Sequence, residues 1–175
     1  MRYLIIVDMQ NDFITGPLGT PEAVAIVNKI KEKIEKKDFE DIIFTRDTHN
    51  TDYLQTQEGK KLPIEHCIRR TLGWRIVNPL REAIDKLPFI PHYINKYSFG
   101  HWDWDSYLTN VTEIEIIGVC TDICVISNAL ILKAAFPEIP ITVDASCCAG
   151  TTPEMHQKAL DVMRSCQIEI INENI

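Results

Sequence analysis

The segment Ile117-Gly118-Val119-Cys120-Thr121-Asp122-Ile123-Cys124-Val125 reads as a strand, a tight turn and a helix start, with Thr121 or Asp122 available as N-cap. Cys124 then lies in the first helical turn. There the positive end of the helix dipole lowers a thiol's pKa, and free backbone N–H groups can hold an oxyanion. Two plainer readings stand beside this one. Cys124 can be a buried structural cysteine, or Cys120 and Cys124 can be metal ligands, although this spacing without a second pair is a weak metal signature. Asp8 closes the apolar run Leu4-Ile5-Ile6-Val7 and precedes Met9-Gln10-Asn11-Asp12-Phe13. A carboxylate there can orient or deprotonate a thiol, or it can be a turn aspartate bonded to nearby N–H groups.

Lys96 follows Pro91-His92-Tyr93-Ile94-Asn95. A lysine at a strand end is commonly solvated; beside a nucleophile it stabilises thiolate and developing oxyanion. Asp47-Thr48-His49 puts two ligand-type side chains on one face of an extended segment, because alternate residues share a face. Glu58 and His66 follow in the next loop. Two imidazoles with one or two carboxylates suit zinc, or a harder ion such as iron or manganese, while a chance surface pair is the bland alternative.

These residues need a scaffold, and the hydrophobic pattern supplies one. Strand candidates are Tyr3–Val7, Asp41–Thr45, Phe89–Asn95, Glu113–Val119, Ile139–Asp144 and Gln167–Ile171, with helical patterns at Pro21–Lys37, Val77–Leu87, Trp104–Asn110, Asp122–Phe136 and Pro153–Ser165. Alternation of the two, with strands apolar on both faces, predicts a three-layer α/β/α sandwich around a central, mostly parallel sheet. In such sheets ligands sit beyond the carboxyl ends of the strands. Asp8, Asp47 with His49, Lys96, Cys120 to Cys124, and Asp144 are read as those strand ends. The long stretch from Arg46 to Trp74 is expected to be an irregular functional loop.

At 175 residues the chain fits one domain, 1–175, able to bury roughly two-thirds or more of its unfolded surface. Its formal charge of −7 is dispersed, which argues against a nucleic-acid or anionic-membrane partner. The lysines from Lys29 to Lys37 alternate with glutamates and are read as a solvated helix face. The opening Met1-Arg2-Tyr3 runs straight into a strand without a signal-peptide pattern, so a cytoplasmic location is expected. The six cysteines should then stay reduced.

Taken together, Leu4 to Phe13, Lys96 in Asn95-Lys96-Tyr97-Ser98-Phe99, and Gly118 to Val125 resemble, in order, three motifs of the isochorismatase-like cysteine hydrolases, in their nicotinamidase branch. The resemblance spans nearly the whole chain. It implies hydrolysis of a small amide, nicotinamide to nicotinate and ammonia, with Cys124 as nucleophile and Asp8 and Lys96 as its partners. It also implies a cis peptide between Val119 and Cys120, and an oxyanion hole from the backbone N–H groups of Cys120 and Cys124. Asp47, His49 and His66 resemble the family's metal ligands, zinc foremost, with Glu58 as a fourth ligand in some members. The family also implies a homo-oligomer. Where many members place an aromatic residue three positions before the last metal histidine, this chain has Pro63. Phe13, Tyr97, Phe99, Trp102 and Val119 are therefore the candidates to line the substrate pocket. Rival readings are a related hydrolase of another amide or ureido compound, a phosphatase using Asp8, and a non-catalytic binding module. The phosphatase reading is weakened by Gln10, which stands where a second aspartate is needed.

Overall fold

The computed structural model describes residues 1–173. Six strands form one parallel sheet: β1 (Arg2–Val7), β2 (Asp41–Asp47), β3 (His92–Lys96), β4 (Glu113–Val119), β5 (Ile141–Ala149) and β6 (Glu169–Ile171), in the spatial order β3-β2-β1-β4-β5-β6. The helices are α1 (Asn11–Ile14), α2 (Pro21–Lys36), α3 (Gln57–Lys61), α4 (Asn78–Ile84), α5 (Ile126–Ala135) and α6 (Pro153–Ser165). They cover the sheet and complete the expected α/β/α sandwich. Leu4, Ile5, Ile6 and Val7 are fully buried, as a strand covered on both faces requires. No described helix is long and apolar enough to cross a membrane.

Local sequence sets the helix ends. The Thr20 hydroxyl accepts from the Ala23 N–H at 3.0 Å, Pro21 occupies the first helical position, and Lys37 ends α2 in a left-handed conformation. Thr152 caps α6 in the same way, accepting from Met155 N–H at 3.1 Å, again with proline next. The stripe Ala23, Ile26, Val27, Ile30 and Ile34 buries one face of α2.

The strand order reverses between β1 and β4, which pair from Arg2 with Glu113 to Val7 with Gly118. At such a switch point the connections leave in opposite directions and open a crevice at the carboxyl ends. Asp8 ends β1 there and Cys120 follows β4. Gly118 has φ +119°, and a Cβ on it would come within 2.1 Å of the Val7 carbonyl oxygen, so only glycine lets the two central strands close up at this point.

Three sequence expectations change. Trp104–Asn110 is not a helix: the Trp104 carbonyl accepts from both Tyr107 and Leu108 N–H groups at 3.0 Å, and the backbone turns left-handed at Asn110. Buried Trp104 and Leu108, one turn apart, imitate helical periodicity over a single turn. Asp144 does not end its strand, since β5 continues to Ala149 through a register shift against β4. The stretch from Arg46 to Trp74 is also more ordered than expected, with a 3-10 turn at Tyr53–Gln55 and α3 inside it. Backbone bonds from His49 N–H to the Cys67 carbonyl, 3.0 Å, and from Arg69 N–H to the His49 carbonyl, 2.8 Å, pin its two ends together.

Candidate active site

At the crevice, Asp8 takes φ 50°, a left-handed backbone that aspartate tolerates better than most residues. Its carboxylate is fully buried and accepts from the Thr45 hydroxyl at 2.7 Å. Lys96 lies at the end of β3, only 2% exposed. Its Nζ stands 2.6 Å from Asp8 Oδ2, 3.4 Å from Asp47 Oδ1 and 3.4 Å from Cys124 Sγ, and also donates to the Ser98 carbonyl. One ammonium thus touches the thiol and both carboxylates.

Burial is the largest influence on each of these groups. It pushes the Cys124 thiol well above its ordinary pKa, with Lys96 opposing and Asp8 and Asp47 adding to the rise. Asp8 is also raised, because burial and the Asp47 charge outweigh the pull of Lys96 and Thr45. Lys96 would be lowered by burial alone, but Asp8, Cys124 and Asp47 reverse that and hold it as an ammonium. The expectation that the helix dipole would lower the thiol pKa is therefore corrected: desolvation wins. Thr121–Val125 is a wide π-type turn that starts from Cys120, with neither Thr121 nor Asp122 acting as its cap, before α5 begins at Ile126.

Beside the thiol, ligand atoms of Asp47, His49, Glu58 and His66 all lie within 4.8 Å of one another. Asp47 Oδ2 is 2.9 Å from His49 Nε2 and 3.4 Å from His66 Nε2. The His66 Nδ1–H donates to the Ile64 carbonyl at 2.8 Å, which fixes the ring with Nε2 facing the cluster. Burial would raise the Asp47 carboxyl, but its bonds to His49 and His66 and the charge of Lys96 hold it far below the usual carboxylate range. Two imidazoles and two carboxylates converging in this way fit a divalent ion of the zinc, iron or manganese type.

A cleft of about 330 Å³ joins the two groups and is lined in part by Phe13, Glu58, His66, Phe99, Cys120 and Cys124. The peptide between Val119 and Cys120 is cis. The sequence model of the isochorismatase domain matches residues 2–174. The chain belongs to the isochorismatase domain family. Curated relatives include the nicotinamidase of Schizosaccharomyces pombe, 28% identical over 97% of this chain and 92% of its own length. The nicotinamidase/pyrazinamidase of Mycobacterium tuberculosis is 27% identical, over 98% of each chain. Among solved structures, the pyrazinamidase of Pyrococcus horikoshii in complex with zinc superposes with a TM-score of 0.78 at 27% identity, covering 98% of each chain.

Within this isochorismatase-family frame, the structure brings together Asp8, Lys96, Cys120, Cys124, Asp47, His49, Glu58 and His66, with Phe13 and Phe99 on the cleft wall. Three other pocket candidates fall elsewhere. Tyr97 is 62% exposed and outside the cleft, because adjacent side chains on the extended run from Lys96 point oppositely. Val119 is buried in the core rather than on the cleft wall. Trp102 projects outward at 82% exposure. The apolar lining comes instead from Leu18, Leu62 and Ile123. Asp144 is remote in chemistry as well as in register, tied to Lys33 at 2.5 Å.

Sequence reasoning also missed the braces of the site. Gln10, fully buried, accepts from Asp47 N–H at 2.7 Å and donates to the Asp47 carbonyl at 2.8 Å. Asn128 donates to the Cys124 carbonyl at 2.8 Å and accepts from His101 N–H at 2.8 Å, which joins the nucleophile turn to the loop that carries Phe99. Asp12 accepts from Cys67 N–H at 2.8 Å and fixes the residue after His66. A polar residue inside an otherwise apolar helical face was the available signal for Asn128.

Proposed function

We propose that this protein is a cysteine-dependent amidohydrolase of the nicotinamidase type, converting nicotinamide and water to nicotinate and ammonia. The observation that carries this reading is the contact of one buried lysine with Asp8, Asp47 and the Cys124 thiol, the last two lining a mostly apolar cleft sized for a small planar ring. The nicotinamidase names of the curated relatives support the choice of amide.

Burial pushes the pKa of the thiol up, so its proton needs a receiver. Asp8, with its raised pKa, is the stronger base that this step requires. As Cys124 Sγ attacks the amide carbonyl, its proton passes to Asp8 and the new oxyanion is held by the backbone N–H groups of Cys120 and Cys124. Collapse breaks the C–N bond, and ammonia leaves with the proton returned by Asp8. Asp8 then deprotonates a water that attacks the thioester, which releases nicotinate and restores the thiol. Lys96 keeps the site's negative charges together throughout, and Gln10, Thr45 and Asn128 hold the reacting groups in place. Asp47, His49, Glu58 and His66 are the residues that would hold the divalent ion, zinc by the Pyrococcus horikoshii likeness, and the ion supplies a Lewis-acid anchor for the pyridine nitrogen.

The test is ammonia release from nicotinamide by wild type and Cys124→Ala, each before and after chelation and metal restoration. Release confined to metal-loaded wild type is expected. Equal release by Cys124→Ala overturns the mechanism. Silence from metal-loaded wild type removes nicotinamide as the substrate.

A further inference from the structure

Arg46 precedes Asp47 on β2, so its side chain leaves the sheet on the opposite face. There a second cleft of about 270 Å³ is lined by Arg46, Trp74, Arg75, Ile76, Arg81 and Tyr93. The Arg46 guanidinium carbon lies 4.2 Å from the centre of the Trp74 ring and 5.0 Å from that of Tyr93, a cation clamped between two aromatic faces. Its Nε is buried and has no hydrogen-bond partner. Among the described residues, none of these three arginines forms an ion pair with an acid. Asp85, the acidic charge felt at Tyr93, follows α4 and lines the neighbouring groove instead.

Three of the chain's seven arginines meet in this one cleft of a protein whose formal charge is −7. Unpaired guanidinium groups repel one another, so their convergence is a cost in the empty cleft that an anion removes. Arginine's planar fork matches phosphate oxygens, and the aromatic walls hold Arg46 in a fixed plane.

We propose that this cleft binds a phosphate-bearing anion, with Arg46 as its rigid floor and exposed Arg75 and Arg81 as its arms. The site is wired to the residues around Asp47. Trp74 Nε1–H donates to the Thr48 hydroxyl at 2.9 Å, and Gln10 donates to both the Trp74 and Asp47 carbonyls. The bound anion therefore rests against the braces of the candidate active site without entering it.

Calorimetric titration of the full chain with pyrophosphate, inorganic phosphate and ATP tests this. Pyrophosphate is expected to bind saturably, one per chain, and to weaken about tenfold or more in Arg75→Gln/Arg81→Gln. Both positions are exposed, so that variant should keep its fold. Tighter binding of ATP than of pyrophosphate assigns the site to a nucleotide, and equal binding assigns it to the phosphates alone; either supports the proposal. No saturable binding of any of the three overturns it, as does binding that survives the double variant. Binding that disappears on chelation also overturns it, because the phosphate would then sit on the metal. The assay reads binding alone, so its outcome is separate from whether nicotinamide is hydrolysed.

Discussion

Two lysines in this protein, Lys96 buried and Lys33 half-buried, each sit between two carboxylates from neighbouring strands, and they have opposite consequences. Lys96 joins Asp8 of the β1 end to Asp47 of β2. Lys33, on α2, joins Glu115 of β4 to Asp144 of β5. Around Lys33 the carboxylates have more partners: Arg2 adds a second cation at 3.3 Å from Glu115 while also pairing with Glu113 at 3.2 Å, and Ser146 donates to Asp144 at 2.7 Å. Burial is again the largest influence on Asp144, yet Lys33 and Ser146 overcome it and its pKa falls. Around Lys96 one cation serves two carboxylates and a thiol in full burial, and the pKa of Asp8 rises. The two clusters differ in the positive charge that reaches each carboxylate.

Cys124→Ala breaks the comparison most sharply. Turnover of nicotinamide should fall by at least about 10³-fold with the thermal transition retained, measured by ammonia release and calorimetry. Asp8→Asn should cost about 10²- to 10⁴-fold in kcat while leaving stability unchanged or improved, since it removes a buried acid that lacks a cation of its own. A large loss of stability in that variant would show that the Asp8–Lys96 pair is structural like its counterpart.

Lys33→Met should do the reverse. It leaves buried Asp144 without a cation and Glu115 with Arg2 alone, and should lower unfolding free energy by about 3 kcal/mol, with kcat per folded molecule nearly unchanged. The pH dependence follows from the same pair. Asp144 has its pKa depressed by folding, so its contribution is present above the ordinary aspartate value of about 3.9 and is lost as pH falls through the folded value. Lys33 is raised: burial opposes, and Asp144 and Glu115 prevail. Its contribution is present below about 10.4 and is lost as pH climbs through the folded value. Denaturant titrations should therefore show the gap between wild type and Lys33→Met widest at mid-range pH and narrowing at both extremes. A constant gap would refute the assignment. The smallest effect belongs to the cleft rim: Phe99→Ala should raise KM severalfold, whereas Tyr97→Ala should stay within about 0.5 kcal/mol in both stability and transition-state binding.

The solvated reading of the lysine-rich helix fails for one residue. Lys33 is the lysine that faces the sheet, and only the packing of α2 across β4 and β5 shows it, because Glu115 and Asp144 lie 82 and 111 positions further along the chain. The partners of Asn128, the Cys124 carbonyl and the His101 N–H, are likewise set only by packing, and the arginine cleft gathers residues from two strands, a loop and a helix.

The sequence by itself determined the alternation of strands and helices and the strand ends that carry Asp8, Asp47, Lys96 and Cys120, because period and motif order are local properties of the chain. Tertiary structure alone decided that burial pushes the Cys124 thiol up, which aromatic residues face the cleft, and how much positive charge reaches each of two similar lysine-centred clusters. Those depend on how completely water is excluded and how many opposite charges arrive from distant strands, and neither quantity is written in any one segment.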